Sequence, residues 1–122
     1  MPPIDSYNTY IPNEIFDDII PKIKPKISFL LFGIIRFTIG ELVGELVLSK
    51  EEMLEMAQSS VSTAKRSLRV LQDMDLIRCS RVKDNGFRII LGPLMLHFIR
   101  EREGSYEGWK RICVLPETEN SV

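Results

Sequence analysis

The sequence predicts a mainly α fold with a small β-hairpin, laid out as a winged helix-turn-helix, and three stretches carry that prediction. Residues 26–39 are apolar on nearly every side, as expected of a helix buried on most of its faces. Ser49-Lys50-Glu51-Glu52 has the Ser-x-x-Glu form of a capping box, and Ser60 opens another helix shortly after it. Two short helices joined by such a tight turn form a helix-turn-helix. Asp84-Asn85-Gly86 then separates two strand-like runs, and Asn-Gly readily takes the positive φ that a tight hairpin turn requires.

Composition narrows the class. With 122 residues, 44% hydrophobic and 27% charged, the chain is one globular domain's worth and not a disordered segment. Cys79, Cys113 and the single His97 have no metal-ligand spacing, so no metal and no cofactor are expected. There is no Gly-rich phosphate loop and no nucleophile beside a base, so the chain is not expected to be an enzyme and no catalytic residue is assigned. The apolar run carries Arg36 and is shorter than the roughly 20 residues of a membrane span. It also lies too far from the start, without an Ala-x-Ala site, for a signal peptide. The expectation is a cytoplasmic, nucleoid-associated protein with reduced thiols and no membrane partner.

In chain order, residues 1–6 read as a flexible leader and 7–103 as the domain. Tyr7 to Pro12 is expected to be extended, because residues before proline avoid the helical region. Residues 13–20 form a short helix capped by Asn13, with Glu14, Asp17 and Asp18 favouring its N-terminal dipole. Pro21 and Pro25 bracket a turn, residues 26–39 form the core helix, and Gly40 stops it. Residues 41–48 give a short strand, and Met53, Leu54, Met56 and Ala57 the packing side of the next helix. Gln58-Ser59 breaks that helix. Ser60 caps the helix 60–74, strands follow on either side of residues 84–86, and Gly92-Pro93 opens a last helix.

The helix over 60–74 is the candidate functional element. Ala64, Leu68 and Leu71 form a narrow packing face, with Ser67 and Met74 beside them. The opposite side presents Ser62, Thr63, Lys65, Arg66, Arg69 and Gln72, hydrogen-bond donors suited to the major groove of double-stranded DNA. Charge is distributed accordingly. Residues 1–60 hold five Lys/Arg against nine Asp/Glu, residues 61–91 seven against three, and residues 92–122 four against five. The basic excess thus falls on this helix and on the hairpin 77–91, which reads as a wing. Ser62, Thr63 and Arg66 are expected to share base-edge contacts near the helix start, which Ser60 caps. Arg69, together with Arg78, Arg81, Lys83 and Arg88 of the wing, is expected to hold phosphates.

Tyr10-Ile11-Pro12-Asn13-Glu14-Ile15-Phe16-Asp17 and Leu30-Leu31-Phe32-Gly33-Ile34-Ile35-Arg36-Phe37-Thr38-Ile39-Gly40 resemble the N-terminal domain of phage replication protein O. That family shows a Pro-Asn pair opening its first helix and an Ile-Ile-Arg-x-Thr-x-Gly ending to its core helix. The segment Ser60-x-x-Thr63-Ala64-x-Arg66-x-Leu68-x-x-Leu71-x-x-x-Asp75-Leu76-Ile77 is similar to the family's helix-turn-helix. The resemblance covers about residues 7–91. It implies a replication initiator that binds origin DNA through a winged helix-turn-helix and works with host replication proteins. The chain departs at Ser59, where the family has an apolar residue, at Asp75, where it has glycine, and in a shorter loop after Gly40. Within 122 residues no full helicase-recruiting domain is expected.

The same elements fit a winged-helix transcriptional regulator, and the acidic first half fits a winged-helix protein-interaction module. Leu94, Met95, Phe98 and Ile99 form a stripe on the last helix that either covers the domain's own core or, with Trp109, makes a homodimer surface. Residues 104–122 read as an extension with a disordered end.

Overall fold

The computed structural model describes residues 9–41 and 43–100; the expected leader, the extension 104–122 and Trp109 lie outside them. The described chain is mainly helical with one three-stranded antiparallel sheet, compatible with the expected plan. No described helix is long and apolar enough to cross a membrane.

The first helical segment is a π-helical turn, Ile15–Ile19, passing into a 3-10 turn, Ile20–Lys22. Asn13 does not cap it through its side chain: the first turn closes when the Ile15 N–H donates to the Pro12 carbonyl at 3.0 Å. Helix α1 (Pro25–Thr38) begins at a proline, which loses nothing there because its N–H would be unpaired. Its buried residues Ile27, Leu30, Leu31, Ile34, Ile35 and Thr38 fall at helical spacing. Each fully buried Ile or Leu contributes about 1.5–3 kcal/mol. This is one stripe rather than most faces: Phe29 and Phe37 remain 62% and 45% exposed. The Thr38 hydroxyl donates to the Ile34 carbonyl at 2.7 Å, so its burial leaves no polar atom unmatched. A 3-10 turn, Ile39–Glu41, carries the chain through Gly40 without a positive φ.

Strand β1 (Glu45–Leu48) is shorter than the expected 41–48. Helix α2 (Lys50–Ala57) has the whole capping box: the Glu52 N–H donates to the Ser49 hydroxyl at 3.1 Å, and the Ser49 N–H to the Glu52 carboxylate at 2.8 Å. It ends at Gln58, whose φ of 55° reverses the chain while its side-chain amide donates to the Glu55 carbonyl at 3.0 Å. Helix α3 (Val61–Asp73) follows, with the Thr63 N–H donating to the Ser60 hydroxyl at 3.4 Å.

At its other end α3 closes in a Schellman motif. Asp75 takes a φ of 63°, its N–H donates to the Gln72 carbonyl at 2.9 Å, and the Leu76 N–H to the Leu71 carbonyl at 3.1 Å. Leu71 and Leu76 are both fully buried, the apolar contact that accompanies this cap. Strands β2 (Ile77–Val82) and β3 (Gly86–Leu91) form the hairpin, and the sheet order is β1-β3-β2. The turn differs from the Asn-Gly expectation. Its positive φ, 61°, belongs to Asp84, whereas Gly86 is extended at φ −80°, ψ 175°. Gly86 is instead favoured by space, since a Cβ there would lie 2.8 Å from the Val82 Cγ2 and 3.0 Å from the Leu48 carbonyl oxygen. Helix α4 (Pro93–Arg100) closes the described chain.

Met95 and Ile99 are fully buried and Phe98 nearly so, all three within the core cluster that includes Ile15, Leu30, Leu71 and Ile89. Of the two readings of this stripe, the burial of Met95, Phe98 and Ile99 matches the one in which it covers the domain's own core. Leu94 is half-buried and the other three are buried.

Candidate nucleic-acid interface

Helix α3 buries Ala64, Ser67, Leu68 and Leu71 and leaves Ser62, Lys65, Arg66, Arg69, Gln72 and Asp73 exposed. Ser62, Arg66, Arg69 and Asp73 recur at spacings that put them on one stripe. Thr63 is off that stripe and half-buried, and its hydroxyl accepts from the Ser60 hydroxyl at 3.1 Å. Both hydroxyls therefore belong to the helix cap. The Ser62 hydroxyl lies 3.4 Å from that of Ser60 but stands on the exposed side. Asp73, an acid at the far end of the stripe, confines its anion-attracting character to the N-terminal half.

Strand alternation sorts the hairpin's basic residues by face. Arg81 pairs across the strands with Phe87, on the face whose Ile77, Phe87, Ile89 and Leu91 join the core. Arg78, Ser80 and Arg88 stand on the opposite face, while Lys83 lies in the turn. Arg88 is engaged by Glu45 on β1, with its Nε 3.0 Å and its Nη2 3.1 Å from the two carboxylate oxygens, a bidentate fork. The ten expected site residues are thus not one surface: Lys65, Arg69 and Arg81 come together, and Arg78 and Arg88 do not join them.

Where they meet is a groove of about 230 Å³ between α3 and the β2 edge, lined by Lys65, Arg69, Gln72 and Arg81 over Leu68 and Phe87. A second hollow of about 150 Å³ adjoins it, sharing Lys65, Arg81 and Phe87 and adding Lys50 and Val61. No acidic residue lines either space, and none of the four cations is in an ion pair among the described residues. The Arg81 guanidinium sits 5.8 Å from the Phe87 ring centroid, a cation–π contact that holds the charge over the floor of the groove.

Two residues of this site escape a reading of the chain by itself. Lys50 is the first residue of α2 and reaches the groove only because the tight turn at Gln58 folds α2 against α3. Gln72, expected to face DNA, turns its side-chain carbonyl inward to accept the Cys79 N–H at 2.9 Å and ties α3 to the open edge of β2. Burial pushes the Cys79 thiol above its ordinary pKa, and the Arg81 charge only partly offsets this, so it stays a neutral thiol in the groove wall. Among the described residues no three His, Cys, Asp or Glu side chains are placed to hold a metal ion.

No protein-family model, curated protein or solved structure matches the chain.

Proposed function

We propose that the protein is a winged helix-turn-helix domain that binds double-stranded DNA. The N-terminal half of α3 lies in the major groove, and a phosphate run occupies the cleft lined by Lys50, Lys65, Arg69 and Arg81. The observation that carries this reading is the cleft itself. Four cations from α2, α3 and β2 converge there with no acidic residue beside them. Such an arrangement is self-repelling until an anion enters, and a row of phosphates satisfies several cations at once. Ser62 and Arg66 stand on the adjoining stripe, placed to meet base edges once the phosphates fix the register.

The resemblance of residues 7–91 to phage replication protein O supports replication-origin DNA as the target and replication proteins as further partners. Binding is tested by fluorescence anisotropy with labelled random-sequence duplex over a salt series. Affinity is expected to fall steeply with salt, with a log–log slope of about −0.9 for each phosphate neutralised. No binding at low salt, or binding that ignores salt, would sink the reading.

A further inference from the structure

The sheet's other edge carries a second surface of different chemistry. Phe37 of α1, Met56 of α2, and Leu46, Val47 and Leu48 of β1 line a groove of about 450 Å³ whose rim holds Glu52 and Glu55. Val47 is 54% exposed and Phe37 45%. Residues 41–55 contain five glutamates against one lysine, so the apolar floor lies in an acidic stretch of the chain. β1 is an end strand, and among the described residues no strand pairs with its outer side. Its unpaired N–H and C=O groups there are a template for another strand.

We infer that this groove docks an extended segment of a partner protein in which apolar side chains alternate with lysine or arginine. A strand added to β1 gains main-chain hydrogen bonds. Its apolar side chains lie over Val47, on the face Val47 shares with Arg88, and its basic side chains turn to the helix side, where their methylene stems cover Phe37 and Met56 and their charges meet Glu52 and Glu55. Charge complementarity selects this partner over an acidic or purely apolar one. The site does not compete with the basic cleft: β1 and β2 are opposite edges of the sheet. On α2, Lys50 and Glu52 are two residues apart and so point to nearly opposite sides of the helix. The inference therefore stands whether or not the cleft takes DNA.

The test uses the full chain, isotope-labelled, titrated with a short synthetic peptide of alternating valine and lysine, and with a control carrying glutamate in place of lysine. The lysine peptide is expected to shift the amides of Leu46, Val47, Leu48 and Met56, and the glutamate peptide to leave them in place. Val47→Lys and Glu55→Lys, both at exposed positions and checked for folding by circular dichroism, are each expected to weaken the lysine peptide by about tenfold or more. Equal binding to either folded variant overturns the inference, as do shifts confined to α3. Self-association that Val47→Lys abolishes would assign the groove to a second copy instead. A carbodiimide cross-link from Glu55 to Lys110 within one chain would assign it to the protein's own C-terminal residues.

Discussion

A Cβ built on Gly92 would lie 2.5 Å from the carbonyl oxygen of Asp75, so these two residues hold the end of α3 against the start of α4 at backbone contact. Two hydrogen bonds seal the join: the Gly92 N–H donates to the Leu76 carbonyl at 2.8 Å and the Leu94 N–H to the Asp75 carbonyl at 2.9 Å. The orientation of α3 is thereby fixed by main chain at its C-terminal end and by the Ser60 cap at its start.

Gly92→Ala is expected to cost roughly 1–3 kcal/mol, because the methyl meets a carbonyl that cannot withdraw without opening the cap. Asp75→Gly is expected to do the reverse and add up to about 1 kcal/mol, since it removes the left-handed strain at φ 63°. Urea unfolding of both variants checks the pair. A neutral Gly92→Ala would mean that the two helices are not in contact.

Gln72→Ala is expected to lose about 1 kcal/mol, because the Cys79 N–H loses its acceptor. Hydrogen exchange at the Cys79 amide is the sharper readout. It should speed up in the variant while the amides of β3 stay protected, and an unchanged rate would show that α3 does not hold the β2 edge.

On DNA, Lys50→Ala, Lys65→Ala and Arg81→Ala are each expected to lower the magnitude of the salt slope by about 0.9, one phosphate's worth. Arg88→Ala is expected to leave the slope unchanged, because its fork is already held by Glu45. Salt titrations of the four variants separate the cleft from the back of the sheet.

Base reading is expected to rest on Arg66. Binding-site selection with Arg66→Ala should flatten preference at one base position, a loss of roughly 1–3 kcal/mol of discrimination. Arg69→Ala should weaken all sequences about equally. A selected site and affinity unchanged in a folded Arg66→Ala protein would mean that α3 does not read bases.

The Cys79 thiol gives a pH signature. Burial raises its folded pKa above the ordinary 9.0, so the unfolded chain loses this proton first as pH rises. Its contribution to stability is full below 9.0 and declines as pH climbs through that value toward the folded one. Unfolding free energy measured across alkaline pH should therefore fall more steeply in the wild type than in Cys79→Ala. Parallel curves would place the thiol in water.

The legible features in this chain are those that depend on near neighbours. The Ser49–Glu52 box and the Ser60 cap join residues three apart, and both form as the spacing predicts. The hairpin was legible as well, though not which residue takes the positive φ, because Gly86 answers to Leu48 on another strand. The run 26–39 overstated burial, since an apolar residue type does not say which side of α1 the sheet and helices will cover. In the cleft, Lys65 and Arg69 could be read from helix periodicity. Lys50 could not, and neither could the inward turn of Gln72, because both depend on where distant elements come to rest.

The alternation that sends Arg81 toward α3 and Arg78 and Arg88 away from it gives the hairpin a rule about parity. Adding residues to the turn Lys83–Asn85 lengthens the hairpin while each strand residue keeps its face. Deleting one residue inside β2 between Arg81 and the turn exchanges the faces of all that precede it, bringing Arg78 to the side of the cleft and turning Arg81 outward. Related chains can therefore vary the length of the turn freely, whereas a single-residue deletion in the strand would silence the cleft without altering the residues left in it.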